Sequence, residues 1–121
     1  MTRQNSSYKL EICVDSPSAA ATAASIADRI ELCAGLSVGG LTPDFGIMQF
    51  AASLGVETHV LIRPRCGDFS MSPDDISVAV ASIKAVQQLG LRGVVIGAER
   101  NGALDRRALE AMILAADDLD L

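Results

Sequence analysis

Apolar and polar positions alternate along this chain with two different periods. Short runs at residues 8–14 (YKLEICV), 29–34 (RIELCA), 58–63 (THVLIR) and 93–97 (GVVIG) read as strands. Longer runs with helical spacing lie between them. Ser16-Pro17 supplies an N-cap and a proline at the first helical position, and the Ala-rich stretch 18–27 follows as a helix. Residues 35–41 form a glycine-rich loop. Thr42-Pro43 repeats the cap-plus-proline signal before Phe45, Ile47, Met48, Phe50, Ala51 and Leu54, and Gly55 closes that helix. Ser72-Pro73-Asp74-Asp75 is the clearest helix start, with acids in the first turn. Ile76, Val80, Ile83, Val86 and Leu89 then repeat every three or four residues up to Gly90. Asn101-Gly102 is a turn, and Asp105 caps a last helix with Leu109, Met112, Ile113 and Ala116 on one face.

This is a βα unit repeated four times, with no linker and no low-complexity segment. Such alternation implies a parallel sheet with right-handed crossovers. Two architectures satisfy it: a small open doubly wound sheet, and (βα)4 as half of a TIM-type (β/α)8 barrel, which needs about 250 residues when whole.

Charge inside the strands favours the half-barrel. Side chains alternate faces along a strand. Leu10, Ile12 and Val14 share one face, as do Ile30 and Leu32, and Val60 and Ile62; Glu11 and Cys13, Glu31 and Cys33, and His59, Leu61 and Arg63 share the other. A parallel sheet covered on both faces should read as continuous aliphatic runs. One face here carries Glu, Cys, His and Arg instead, as a barrel interior does, and most of these residues fall toward the C-terminal strand ends where barrel sites are built.

The whole chain has 121 residues, one domain's worth, and half are apolar, enough for a core. Fifteen acids against 10 bases give a net charge of −5, evenly spread, which argues against sequence-independent nucleic-acid binding. No stretch approaches the ~18 apolar residues of a membrane span, and the start (MTRQNSSYK) has no apolar run behind its Arg3. Residues 1–7 read as a disordered tail. Three cysteines without an export signal imply free thiols in a reducing cytoplasm.

Four blocks carry a family resemblance: residues 10–16 (LEICVDS), 28–33 (DRIELC), 39–43 (GGLTP), and 62–65 (IRPR) with 67–69 (GDF), followed by 93–98 (GVVIGA). In order and spacing they resemble the CutC copper-homeostasis family, from about Leu10 to the end of the chain. The resemblance implies a TIM-barrel-like fold, a cytoplasmic role in copper handling, and Cu(I) binding at Cys13 and Cys33. The chain departs from the family in three places. It is about half a family member, ending where a fifth strand with a Thr-Phe-His-Arg motif is expected. Cys66 stands where the family usually has Gly. Glu99-Arg100 replaces a more apolar segment.

Each candidate residue has a plainer reading beside it. Cys13 and Cys33 on adjacent strands, at equivalent heights, would both reach one soft ion; alternatively each is a small buried hydrophobe. Cys66, beside Arg63, Arg65 and Asp68, is a third thiol ligand or an exposed thiol. Glu11, Glu31, Arg63 and Arg65 form either a site for an anionic substrate or structural ion pairs at the barrel mouth. His59, the only histidine, reads as a satisfied core or edge residue. Gly39-Gly40 is an anion cradle or simply a turn. Met48 and Met112 follow core spacing.

Three functions follow: a copper-homeostasis protein using Cys13 and Cys33, an enzyme or anion-binding protein using the Glu/Arg set, and a half-barrel module without inherited activity. Four parallel strands leave two open edges, so self-association is expected, as a homodimer through those edges.

Overall fold

The computed structural model describes residues 7–121. The expected tail, apart from Ser7, lies outside the described residues. The chain runs β1 (Glu11–Val14), α1 (Pro17–Ala24), β2 (Arg29–Leu32), a 3-10 turn (Leu36–Val38), α2 (Phe45–Ala52), β3 (Glu57–Leu61), α3 (Pro73–Gln88) and β4 (Gly93–Val95). A two-stranded hairpin, β5 (Glu99–Arg100) and β6 (Ala103–Leu104), precedes α4 (Arg106–Ala116).

The main sheet is parallel, in the order β1-β2-β3-β4. A doubly wound sheet reverses its strand order at a switch point; this one does not, and it has the sequential order of half a TIM-type barrel. Val14, Ile30, Leu32, Val60, Ile62 and Val94 are buried against Ala20, Ala23, Met48, Ala51, Ala79, Ile83, Val86, Ala108, Met112 and Ala116 of the helices. The aliphatic strand face is therefore the helix-covered one, as the alternation indicated.

Caps set most helix starts where the chain signals them. Ser16 accepts from the Ala19 amide, Ser72 and Asp75 form a reciprocal capping box, and Asp105 accepts from the Ala108 amide. The second helix differs. Its cap is Asp44, which accepts from the Ile47 amide, not Thr42. The Thr42 hydroxyl is taken by a tertiary partner, the Arg63 amide, at 2.8 Å, which pins the glycine-rich loop to the end of β3. The first helix stops at Ala24, three residues earlier than expected, where the Ser25 hydroxyl donates to the Thr22 carbonyl. Phe45, Phe50 and Ile113, placed on core faces by their spacing, are exposed. Asn101 and Gly102, both at positive φ, make the tight turn of the unexpected hairpin.

The last residues return to the sheet. Asp120 lies parallel beside Gly93; its amide donates to the Arg92 carbonyl and its carbonyl accepts from the Val94 amide at 2.9 Å. Among the described residues, no helix is long and apolar enough to cross a membrane.

Candidate functional site

The second sheet face, away from the helices, is built in layers. Register places Glu11, Arg29 and Glu57 level at the N-terminal end of the strands. Cys13, Glu31, His59 and Gly93 share the next layer. Cys33, one residue beyond the Leu32–Val60 pair, shares the third with Leu61 and Val95.

The two Glu-x-Cys segments thus carry a stagger of two residues. Cys13 is level with Glu31, not with Cys33. A rise of about 3.3 Å per residue and a strand spacing of about 4.8 Å put the two cysteine Cα atoms roughly 8 Å apart on a diagonal. The expectation of equal heights does not hold, but both thiols meet the same residue. The Cys13 thiol donates to Glu31 Oε2 at 3.3 Å, and the Cys33 thiol donates to the Glu31 carbonyl at 3.7 Å. Cys13 is exposed and Cys33 buried. Desolvation pushes the Cys13 thiol up to about 11, aided by its bond to Glu31 and by the charges of Glu31 and Glu11. Desolvation likewise pushes Cys33 up to about 12, with Glu31, Cys13 and Asp15 adding to it. Both are neutral thiols at neutral pH.

The glycine-rich loop roofs the buried thiol. Ala34 and Leu41 exchange main-chain hydrogen bonds that close the loop. A Cβ on Gly40, which has a positive φ, would lie 2.8 Å from Leu61 Cδ2 and 3.9 Å from Cys33 Cβ. Gly40 therefore serves close packing over the inner face. Its carbonyl and that of Val38 accept from Arg63 Nη1 at 2.8 and 3.0 Å. The loop turns carbonyls, not an amide cradle, toward its charged neighbour.

The four residues of the Glu/Arg set are not brought together. Glu11 pairs with Arg29 Nε at the opposite end of the strand, a correction to its placement at the C-terminal mouth. Glu31 faces Cys13. Arg63 Nη2 donates to the Gly67 carbonyl, and the guanidinium lies 5.1 Å over the Phe69 ring. Arg65 binds Asp68 at 2.7 Å, Ser70, the Cys66 carbonyl and, at 3.4 Å, Asp75. Among the described residues, no hydrogen bond or ion pair joins either glutamate to either of these arginines. The arginines organise the loop after β3, where Cys66 is exposed.

His59 is not the satisfied histidine its position suggested. It is buried, and its Nε2 has no hydrogen-bond partner. Desolvation pushes its pKa down, and Arg29 adds to that. Its neighbours are Glu57 Oε1 at 3.4 Å and Asp120 Oδ2 at 3.9 Å. Burial pushes the Glu57 carboxyl up, but Lys9, His59 and Arg29 outweigh it and hold it below its ordinary range. The bond from Arg92 lowers Asp120. Sequence reasoning missed Glu57 and Asp120. Glu57 shares a strand face with His59 two residues on, a usable signal; for Asp120 the signal was the fifth strand expected to begin at this point, which in a parallel barrel lies beside β4.

Comparisons with known proteins agree on one family. The model of the CutC family matches residues 8–121. A CutC family protein of Agrobacterium fabrum is 49% identical over 113 residues, covering 92% of this chain and 45% of the relative. One from Caulobacter vibrioides is 46% identical over 112 residues, covering 91% and 46%. The crystal structure of CutC from Streptococcus agalactiae, a protein whose name refers to copper homeostasis, matches with a TM-score of 0.86 at 27% identity, over 94% of this chain and 58% of that one. The chain spans about half the length of the curated relatives it matches.

Proposed function

This chain belongs to the CutC copper-homeostasis family, and from that premise we propose that it handles copper by holding Cu(I) between Cys13 and Cys33. The observation that carries the proposal is the convergence of both thiols on Glu31 from adjacent strands of one sheet face. Two soft sulfur donors suit a soft monovalent ion, while imidazole and carboxylate suit harder ones. A metal–thiolate bond of about 2.3 Å lets one ion bridge sulfurs up to about 4.6 Å apart, a span that side-chain rotation from the diagonal pair supplies. The thiolate, not the thiol, is the ligand. Binding therefore releases the proton that Cys13 shares with Glu31 and the one on Cys33. Cys13 is the entry point, because the loop over Cys33 leaves it the exposed partner.

The test is an anaerobic Cu(I) competition titration against a chromophoric chelator. One ion per chain, lost in both Cys13→Ser and Cys33→Ser, supports the shared site. Binding unaffected by either substitution returns both residues to packing.

Among the described residues, β1 has no strand on its outer edge and the inner face has no second wall. We propose that the chain pairs as a homodimer through these surfaces, in the cytoplasm, where its thiols stay reduced.

A further inference from the structure

We propose that Glu57, His59 and Asp120 form a binding site for a divalent transition-metal ion of the Zn2+ or Co2+ class. It lies at the N-terminal end of the sheet, separate from the thiol pair, and does not depend on the copper reading.

Three observations converge there. One ligand atom from each residue lies within 4.8 Å of the other two. Ligands bound tetrahedrally at about 2.0–2.2 Å stand about 3.4 Å apart. His59 Nε2 is 3.4 Å from Glu57 Oε1 and 3.9 Å from Asp120 Oδ2, so the second distance must contract by only about half an ångström. The second observation is the imidazole itself. The His59 side chain is 7% exposed, and its Nε2 points between the two carboxylates without a hydrogen-bond partner. A buried polar atom left unpaired is costly, and an ion there would satisfy it. The third is Gly93. A Cβ on it would lie 3.0 Å from His59 Cε1 and 2.7 Å from the Asp120 carbonyl. Only a residue without a side chain lets the histidine and the returning chain meet at this point.

Charge and chemistry select the ion. Two carboxylates and a neutral imidazole carry −2, which a divalent cation balances. Nitrogen and oxygen donors suit Zn2+, Co2+ or Mn2+ and discriminate against Cu(I). Three protein ligands leave a position open for water or an exogenous ligand. Lys9 contacts Glu57 and Arg92 contacts Asp120 at 3.3 and 2.8 Å. Exposed pairs of this kind are weak, so an incoming ion displaces the Lys9 ammonium and the Arg92 guanidinium, while Arg29, 3.6 Å from Glu57 Oε1, keeps its own pair with Glu11.

The test uses the full chain, freed of thiols by Cys13→Ser, Cys33→Ala and Cys66→Ser, titrated with Zn2+ by calorimetry and with Co2+ by visible absorption. The expected result is one ion per chain with a tetrahedral cobalt spectrum lacking sulfur charge transfer. Affinity should fall at least about tenfold in Glu57→Gln and in Asp120→Asn. Both side chains are partly exposed, so these variants decide the matter even if His59→Gln does not fold. His59 is the only histidine. Its Nε2 resonance should therefore shift with one equivalent of Zn2+ in the thiol-free chain, and in the wild-type chain once Zn2+ exceeds what the thiols take up. An unmoved His59 resonance, or Zn2+ affinity unchanged in both carboxylate variants, overturns the proposal.

Discussion

Replacing Gly93 with alanine places a Cβ 2.7 Å from the Asp120 carbonyl oxygen and 3.0 Å from both Asp120 Cβ and His59 Cε1. Gly93 does not need a positive φ, so the cost is steric and not conformational. The nearest atom is backbone, which cannot rotate away. Overpacking of this kind costs about 1–3 kcal/mol. Alanine also restricts the unfolded chain, which returns about 0.4–1 kcal/mol. The net loss is about 1–2 kcal/mol. An unfolding entropy of about 2.1 cal/mol/K per residue then gives a fall in Tm of about 4–8 °C for a chain of this length. Gly97 is the control: nothing lies within 4 Å of its Cβ position and its φ is not positive. Gly97→Ala should leave Tm unchanged or raise it by about 2–4 °C through the unfolded-state effect alone. The assay is thermal unfolding by circular dichroism at one fixed protein concentration, because association shifts Tm by mass action. Amide exchange localises the effect: the Val94 amide, bonded to the Asp120 carbonyl, should exchange faster in Gly93→Ala. Equal Tm values for the two variants, with Val94 as protected as before, would refute the placement of residues 119–121 beside β4.

Glu31 accepts from both thiols, through its carboxylate from Cys13 and its carbonyl from Cys33, and removing its charge should make them more reactive. Glu31→Gln should speed alkylation of Cys13 at pH 8 by up to about fivefold, the rate equivalent of about 1 kcal/mol for an exposed pair; an unchanged rate would break the link between Glu31 and the thiol. Cys33, roofed by the loop, should react more slowly than Cys13 and Cys66, which peptide mapping after timed alkylation checks. Apparent Cu(I) affinity should rise with pH. Both thiols stay protonated below about 11 and 12, so each ion displaces two protons across the neutral range. The expected slope between pH 6 and 9 is about 100-fold per unit, measured by chelator competition corrected for the chelator's own titration, and a flat profile would mean that thiolates are not the ligands. Light scattering on the 121-residue polypeptide should give a dimer mass that falls to the monomer only on dilution; a monomer at all concentrations contradicts edge pairing.

The strand faces were legible because a period of two needs no tertiary information. Alternation puts Val14, Leu32 and Val60 on the aliphatic, helix-covered face and Glu31 and Cys33 on the other, and the fold keeps both sets there. Caps such as Ser72 were legible because their partners lie three residues away. What the sequence withheld depends on contacts between distant segments. Thr42 and Asp44 are both competent caps flanking Pro43, and the Arg63 amide decides between them by occupying the threonine. The two-residue stagger of Cys13 against Cys33 is a property of the ladder between strands, and identical Glu-x-Cys segments conceal it. Arg63 and Arg65 have side chains long enough to reach several partners, and only the folded loop shows that carbonyls and Asp68 claim them.

The proposed two-sulfur Cu(I) site at Cys13 and Cys33 is open to a direct count. X-ray absorption at the copper edge of the Cu(I)-loaded chain counts those sulfurs directly. Two sulfur scatterers in the wild type, retained in Cys66→Ser and reduced to one in Cys33→Ser, is the predicted result. A single sulfur in the wild type, or a second one lost in Cys66→Ser, would contradict it.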